Sequence, residues 1–409
     1  MIKNMQEKEK LIRHLNEKMF SRGDKKYLDK KAQITIPKIF SISENPKTTI
    51  TFLRQLYEVL MTKHIETICF DYSKCEHLGF SASVIMDVII LAVNDYRIKM
   101  GIECNYAGNV PLERRSKEIL LASGLPYHLQ AESGWKADEK KIERFELVSG
   151  CHSEKDEEKV GGTVATNLTQ YFDRCLATQK LFLKNSGKSF MSTMLGEVLD
   201  NCEIHGGENT TWYTQGHYQI YEDKQIGEMQ LIFLSFGDTI YEGLKREASD
   251  ETSQRLKYMM QKHQESLTDN WNEETIYTVL ALQGGISRLR DKDIEGYEYR
   301  GSGTVSMIEQ FYNIGKTNNT EEPSMVIVSG HTMIKFDDKY KMKTEMFVND
   351  KVFGNTKSQI IAFNNENDIY KPADSNNVQY MKEYFPGTVI SLKFYIDRKY
   401  IESKKKEKV

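Results

Sequence analysis

Paired cysteines are missing from this chain. Its six cysteines, Cys69, Cys75, Cys104, Cys151, Cys175 and Cys202, are scattered with no C-x-x-C pair, which removes the usual zinc-ribbon and dithiol redox patterns. Several lie in apolar stretches, where a free thiol packs as a small hydrophobe, so a reducing, intracellular setting is expected. A long apolar run is missing too. The greasiest stretch, "SVIMDVIILAV", is interrupted by Asp87 and falls short of the roughly 20 residues that cross a bilayer. The opening "MIKNMQEKEKLIRHLNEKMF" is charged throughout and lacks the apolar core of a secretory signal, so the expected location is the cytoplasm. Charge of one sign is not in excess: Lys+Arg 56 against Asp+Glu 59 leaves a net -3, which gives no field favouring nucleic acid or an acidic membrane. No repeat of fixed period occurs.

The 409 residues, 39% of them hydrophobic, leave room for packed cores in two or three domains of roughly 150 residues. Residues 1–31 carry ten Lys/Arg against five acids and read as a charged helix or arm in solvent, with partner binding as the alternative. Residues 32–135 alternate strand-like segments ("QITIPKIF", "ETICFDYS", "GIECNYAG") with helical ones ("TITFLRQLYEVLMTK", "SASVIMDVIILAVNDYRI"), which predicts a small α/β domain. Residues 136–164 are dense in charge and read as an exposed connector with room for one hairpin. Residues 165–400 begin helical and end in strands ("SMVIVSG", "TMIKFDD", "GTVISLKFYI"), predicting an α+β sandwich: a mixed sheet covered by helices on one face. Residues 401–409 read as a basic, disordered tail. The fold class is therefore α/β overall.

Two stretches of the second domain carry chemistry. In "GEVLDNCEIHGG", Glu197, Asn201 and His205 follow at four-residue steps, so a helix would set the first two on one face with His205 one turn on. Leu195, Val198, Leu199, Cys202 and Ile204 fill much of the remaining circumference, so the polar stripe either faces a cavity or satisfies backbone groups. In "YRGSGTVSMIEQFY", Gly301 and Gly303 precede a helix whose core face is Val305, Ile308, Phe311 and Tyr312. Glycines admit backbone N–H groups close to a phosphate, the helix N-terminus adds favourable partial charge, and Arg300 could reach the same oxygens; a plain loop-to-helix turn is the alternative. Cys202 and His205 have C-x-x-H spacing but no second pair, which does not support zinc.

These residues resemble a family. "GEVLDNCEIHGG" looks like the N-box helix of the GHKL ATPases, the superfamily of gyrase, heat-shock chaperone, histidine kinase and MutL-type nucleotide sites. "LIFLSFGDTI" stands where that family's adenine-binding glycine box belongs, "RGSGT" is similar to its second glycine box, and "FPGTVISLKF" resembles its closing "GT" strand. The resemblance spans roughly residues 165–400. It implies ATP and Mg²⁺ as cofactors, Glu197 activating the hydrolytic water, and Asn201 ligating the ion beside Asp200. It also implies that Arg300, Gly301, Ser302, Gly303 and Thr304 cradle phosphates under a lid, with Gly284 and Gly285 as a hinge or a mere structural turn. His205 either touches the ligand or caps carbonyls. The base-reading aspartate of the family is replaced by Ser235; Gly237 matches the first glycine, Thr239 replaces the second, and Asp238 is near but out of register.

"ETICFDYSKCEHLGFSASVIMDVIILAVNDYRIKMGIECNYAG" looks like the core of a STAS domain, a fold of anti-sigma-factor antagonists. The loop serine phosphorylated in that family would fall on Ser81 or Ser83, although Gly79 and Phe80 replace the expected Asp-Ser pair, and N-capping of the helix by Ser81 is the expectation here. The resemblances imply an ATPase that couples Mg-ATP binding and slow hydrolysis to a protein partner held by the STAS-like domain or the N-terminal arm, with a homodimer allowed. The rivals are a serine kinase acting on a STAS-like domain and a non-hydrolysing nucleotide-gated sensor or scaffold, for example in bacterial antiphage or stress response.

Overall fold

The computed structural model describes residues 5–19, 29–131, 138, 140–151, 160–204, 206–207, 210–221, 226–284, 303–314 and 322–406. Helix α1 (Met5–Lys18) comes first. Its charges hide an apolar stripe: Leu11, Ile12 and Leu15 share one face and are buried, while Arg13 and Glu17 are exposed. The solvated arm expected here is thus corrected over α1, because the stripe docks on the core.

Strands β1 (Lys31–Thr35) and β2 (Ile39–Phe40) lead into α2 (Pro46–Met61), which Pro46 opens at a position where a missing N–H costs nothing. Then follow β3 (Thr67–Asp71), β4 (His77–Leu78), α3 (Phe80–Lys99), β5 (Asn105–Gly108), α4 (Arg114–Ser123) and α5 (Leu125–His128). β1, β3 and β5 form a parallel sheet in that order, and β2 pairs with β4 in parallel. α3 is apolar almost all round and buried from Phe80 to Ile90, as such a helix must be. Ser81 does not cap it. The N-cap is Gly79, without any side-chain cap, and Ser81 sits in the first turn with its hydroxyl 2.7 Å from that of Ser391.

The second half opens with β6 (Ile142–Cys151), then α6 (Val160–Thr178), α7 (Asn185–Ile204), β7 (Thr211–Tyr221) and β8 (Ile226–Phe236). After these come α8 (Ile240–Glu247), α9 (Asp250–His263), α10 (Glu273–Ala281), α11 (Gly303–Ile314) and β9 (Ser324–Phe336). A hairpin of β10 (Lys343–Met346) and β11 (Lys357–Ile360), the long β12 (Val378–Ile396) and α12 (Arg398–Lys406) complete the chain. Two expectations change. The stretch read as a connector with room for a hairpin supplies instead β6, an edge strand of the main sheet paired with β7, and the tail is helical through Lys406, with Ile401 packed on the core.

The main sheet runs β6-β7-β8-β12-β9, and every neighbouring pair is antiparallel rather than mixed. Helices cover both of its faces, not one. Leu231 and Phe233 of β8 point to α6, α7 and α11, while Ile232, Leu234 and Phe236 point to the side packed by α1, α2 and α3. Two-sided burial explains why "LIFLSF" and "MVIVS" are apolar or small at nearly every position instead of alternating. Among the described residues no helix is long and apolar enough to cross a membrane.

Candidate functional site

The site lies where α7 ends against the tips of the central strands. Helix α7 buries Leu195, Val198 and Leu199 and leaves Glu197, Asp200 and Asn201 half-buried. Asn201 Nδ2 donates to Thr304 Oγ1 at 3.3 Å, joining α7 to the first turn of α11 across 103 residues. That bond uses the amide nitrogen and leaves Oδ1, a neutral hard oxygen, to accept. Glu197 stands one turn earlier on α7 and has an interaction of its own. Asp200 lies beside the start of α6: a Cβ on Gly161 would stand 3.4 Å from its Oδ1.

Backbone contacts without room for side chains fix the end of α7 against β8. The Asp238 N–H donates to the Gly206 carbonyl at 2.8 Å, and a Cβ on Gly237 would stand 2.5 Å from that same oxygen. Only glycine fits. Beside this crossing Thr210 is fully buried and its Oγ1 has no partner among the described residues. Asp238 ion-pairs with Arg246, and Thr239 accepts from the Glu242 N–H at 3.0 Å to cap α8 in a reciprocal box. Both side chains are therefore committed to the scaffold.

Ser235 is 3% exposed and, by the alternation of β8, lies on the α7 face of the sheet. It is the middle of a row set by strand register: Trp212, Ser235, Thr388 and Ser329 stand side by side on four strands. Ser235 Oγ is 3.5 Å from the Thr388 carbonyl, a long contact that leaves the hydroxyl capacity for another partner. The Thr388 and Ser329 hydroxyls are 2.8 Å apart, and Ser329 Oγ accepts from the Ile240 N–H at 2.9 Å. Gly387 aims this row. Its φ is +144° and a Cβ would stand 2.0 Å from the Ser235 carbonyl oxygen, so the β12 bulge before Thr388 requires glycine.

The structure thus brings Asn201, Thr304, Gly237 and Ser235 to one end of the sheet, with Glu197 on the same helix as Asn201, sets Asp200 beside the start of α6, and turns Asp238 and Thr239 to structural partners. His205, Arg300, Gly301, Ser302 and Gly285 lie outside the described residues; Gly303 opens α11 and Gly284 follows α10. Sequence reasoning missed Thr388, Ser329 and Thr210; Thr388 alone carried a signal, its place in the "GT" pair, while Ser329 and Thr210 reach the site only through the fold. Burial pushes the Cys202 thiol up to about 12, so it stays protonated and is a poor metal ligand. Among the described residues no group of three His, Cys, Asp or Glu could hold a metal by itself. A cation at Asn201 would depend on oxygens from a bound ligand.

No family model, curated protein or solved structure matches this chain.

Proposed function

We propose that the chain is a GHKL-type ATP-binding protein that takes Mg-ATP between α7 and α11 and hydrolyses it slowly, coupling nucleotide occupancy to a protein partner. The observation that carries this reading is the meeting of Asn201 with Thr304, which joins the two segments singled out for metal and phosphate chemistry. The donor set fits. Asn201 Oδ1 offers Mg²⁺ a hard oxygen, the N-terminus of α11 contributes the partial positive charge of a helix start, which favours an anion, and buried hydroxyls at Ser235 and Thr210 retain hydrogen-bonding capacity. Bound Mg-ATP would supply a polarised phosphoanhydride. Glu197 would orient and deprotonate the attacking water, and Ser235 would meet the base.

The STAS-like unit would transmit occupancy, because α1 to α3 pack on the back of the sheet whose front forms the site. Transfer of phosphate to Ser81 within the same chain is disfavoured: that hydroxyl is 6% exposed, bonded to Ser391 and on the sheet face opposite α7. The test is titration calorimetry of Mg-ATP into wild type and Asn201→Ala, with phosphate release from wild type and Glu197→Ala. Magnesium-dependent binding lost in Asn201→Ala, and turnover lost with binding kept in Glu197→Ala, are the expected results. Binding without turnover in wild type would replace the ATPase by a nucleotide-gated scaffold, and no binding at all would end the reading.

A further inference from the structure

Between α6 and α7 the chain exposes large apolar side chains beside lysines. α6 ends in a Schellman turn: the Leu181 N–H donates to the Leu176 carbonyl at 3.0 Å and the Lys180 N–H to that of Ala177 at 2.9 Å. Lys180 takes the left-handed position of this turn, φ +60°, which usually falls to glycine. The segment 181–184 that follows belongs to no helix or strand, and its side chains alternate in burial. Leu181 and Leu183 pack on the core, while Phe182 and Lys184 stay outside, Phe182 at 70% exposure. On α7, Phe190 is 47% exposed and shares its face with the exposed Ser186 and Thr193.

The charge around these rings is of one sign. Residues 174–196 hold Arg174, Lys180, Lys184 and Lys188 and no acid. Asp173, just before them, is engaged within the fold: it accepts from the Leu183 N–H at 3.0 Å and ion-pairs with Lys188 at 2.5 Å. Lys180 and Lys184 are exposed and have no carboxylate partner among the described residues. Gln179 Nε2 donates to the Ile396 carbonyl at 3.0 Å, which sets the end of β12, and so the approach to α12, beside the turn. α12 adds five basic residues to the sequence at this end against Glu402, which pairs with Arg398. The net charge of -3 for the whole chain conceals this local excess.

We propose that this end of the molecule docks on an anionic phospholipid bilayer, with Phe182 and Phe190 entering the boundary of the acyl chains and Lys180 and Lys184 meeting lipid phosphates. An anionic bilayer attracts basic side chains and accepts apolar ones that project from a surface, whereas a protein partner must offer a pocket shaped for each. Phe182, at 70% exposure, projects rather than lying in a groove. The surroundings of Phe190 suit an apolar medium as well. Ser186 and Thr193 carry no charge, and the Thr193 hydroxyl donates to the Ser189 carbonyl at 3.1 Å, so its proton enters already bonded. The patch occupies the start of α7 and Asn201 stands near the end of that helix, so the proposal does not rest on the nucleotide site.

Co-sedimentation of the full chain tests it, with vesicles of phosphatidylcholine alone and of equal parts phosphatidylcholine and phosphatidylserine. Wild type and Asn201→Ala are both expected to bind the anionic vesicles only, and less tightly as salt is raised. Affinity should fall about tenfold in Phe182→Ser, which removes a buried ring, and about fivefold in Lys180→Gly, which removes a charge while keeping the turn. Both side chains are exposed, so neither variant should lower the urea midpoint. Phe182→Trp should show a blue shift of emission on binding that the three native tryptophans do not give. No binding to anionic vesicles, equal binding to neutral ones, wild-type affinity in either variant or no shift in Phe182→Trp would overturn the proposal. Binding of soluble polyglutamate as tight as that of the vesicles would overturn it in favour of an acidic protein partner.

Discussion

Asn201 on α7 and Thr304 on α11 share a hydrogen bond of 3.3 Å, and through it the fold brings together two motifs set 103 residues apart. If the pair pre-positions the Asn201 amide for a cation, Thr304→Val will weaken Mg-ATP binding by about tenfold, the worth of one hydrogen bond, while Thr304→Ser keeps it. Unfolding midpoints of the two variants should agree closely, since both residues are half-buried. Equal magnesium-dependent affinity in Thr304→Val and wild type, measured by calorimetry, would remove Thr304 from the site.

Gly387 is the strictest backbone position near Ser235. With φ at +144° and a Cβ only 2.0 Å from the Ser235 carbonyl oxygen, Gly387→Ala must displace β12 or β8. A destabilisation of about 3 kcal/mol or more is expected in urea unfolding. Gly354, also at positive φ but with open space around it, is the control: alanine there should cost only about 1 kcal/mol.

Docking of α1 gives a further expected outcome. Leu15 is fully buried where α1 meets α3 and the main sheet, and His14 Nε2 donates to the Pro386 carbonyl at 2.9 Å, next to Gly387. Leu15→Ala should destabilise the chain by about 2–5 kcal/mol. An arm lying free in solvent would leave the urea midpoint where it was.

What could be read from sequence was local. The stripe Glu197, Asn201 on α7, the helix after Gly303 and the positions of the strands follow from helical period and glycine punctuation, which depend on near neighbours only. The two-sided covering of the main sheet was written in "LIFLSF" as well, since an unbroken run of apolar and small residues marks a strand buried on both faces, but length and composition did not say which helices cover it. α1 was obscured because ten basic residues near the N-terminus outweighed a stripe of Leu11, Ile12 and Leu15. The hydroxyl row of Ser235, Thr388 and Ser329 depends on register between strands distant in sequence, which no local pattern encodes.

The join between the first unit and the sheet should also respond to acid. His217 on β7 is 1% exposed; its Nδ1 is 2.9 Å from Ser123 Oγ and its Nε2 is 3.3 Å from Gln219 Oε1. Burial pushes its pKa down to about 4, and burial lowers those of His14 and His128 as well. A histidine whose folded pKa is depressed binds fewer protons folded than unfolded, so its contribution to stability is complete above about pH 6.5 and is lost as pH falls toward 4. For His217 the loss across that window is about 3 kcal/mol. Urea unfolding of wild type and His217→Gln at several values between pH 7.5 and 4 measures it: the wild type should lose more stability than the variant on acidification, by about that amount. Parallel pH profiles for the two proteins would mean that the imidazole is protonated, or solvated, within the folded join.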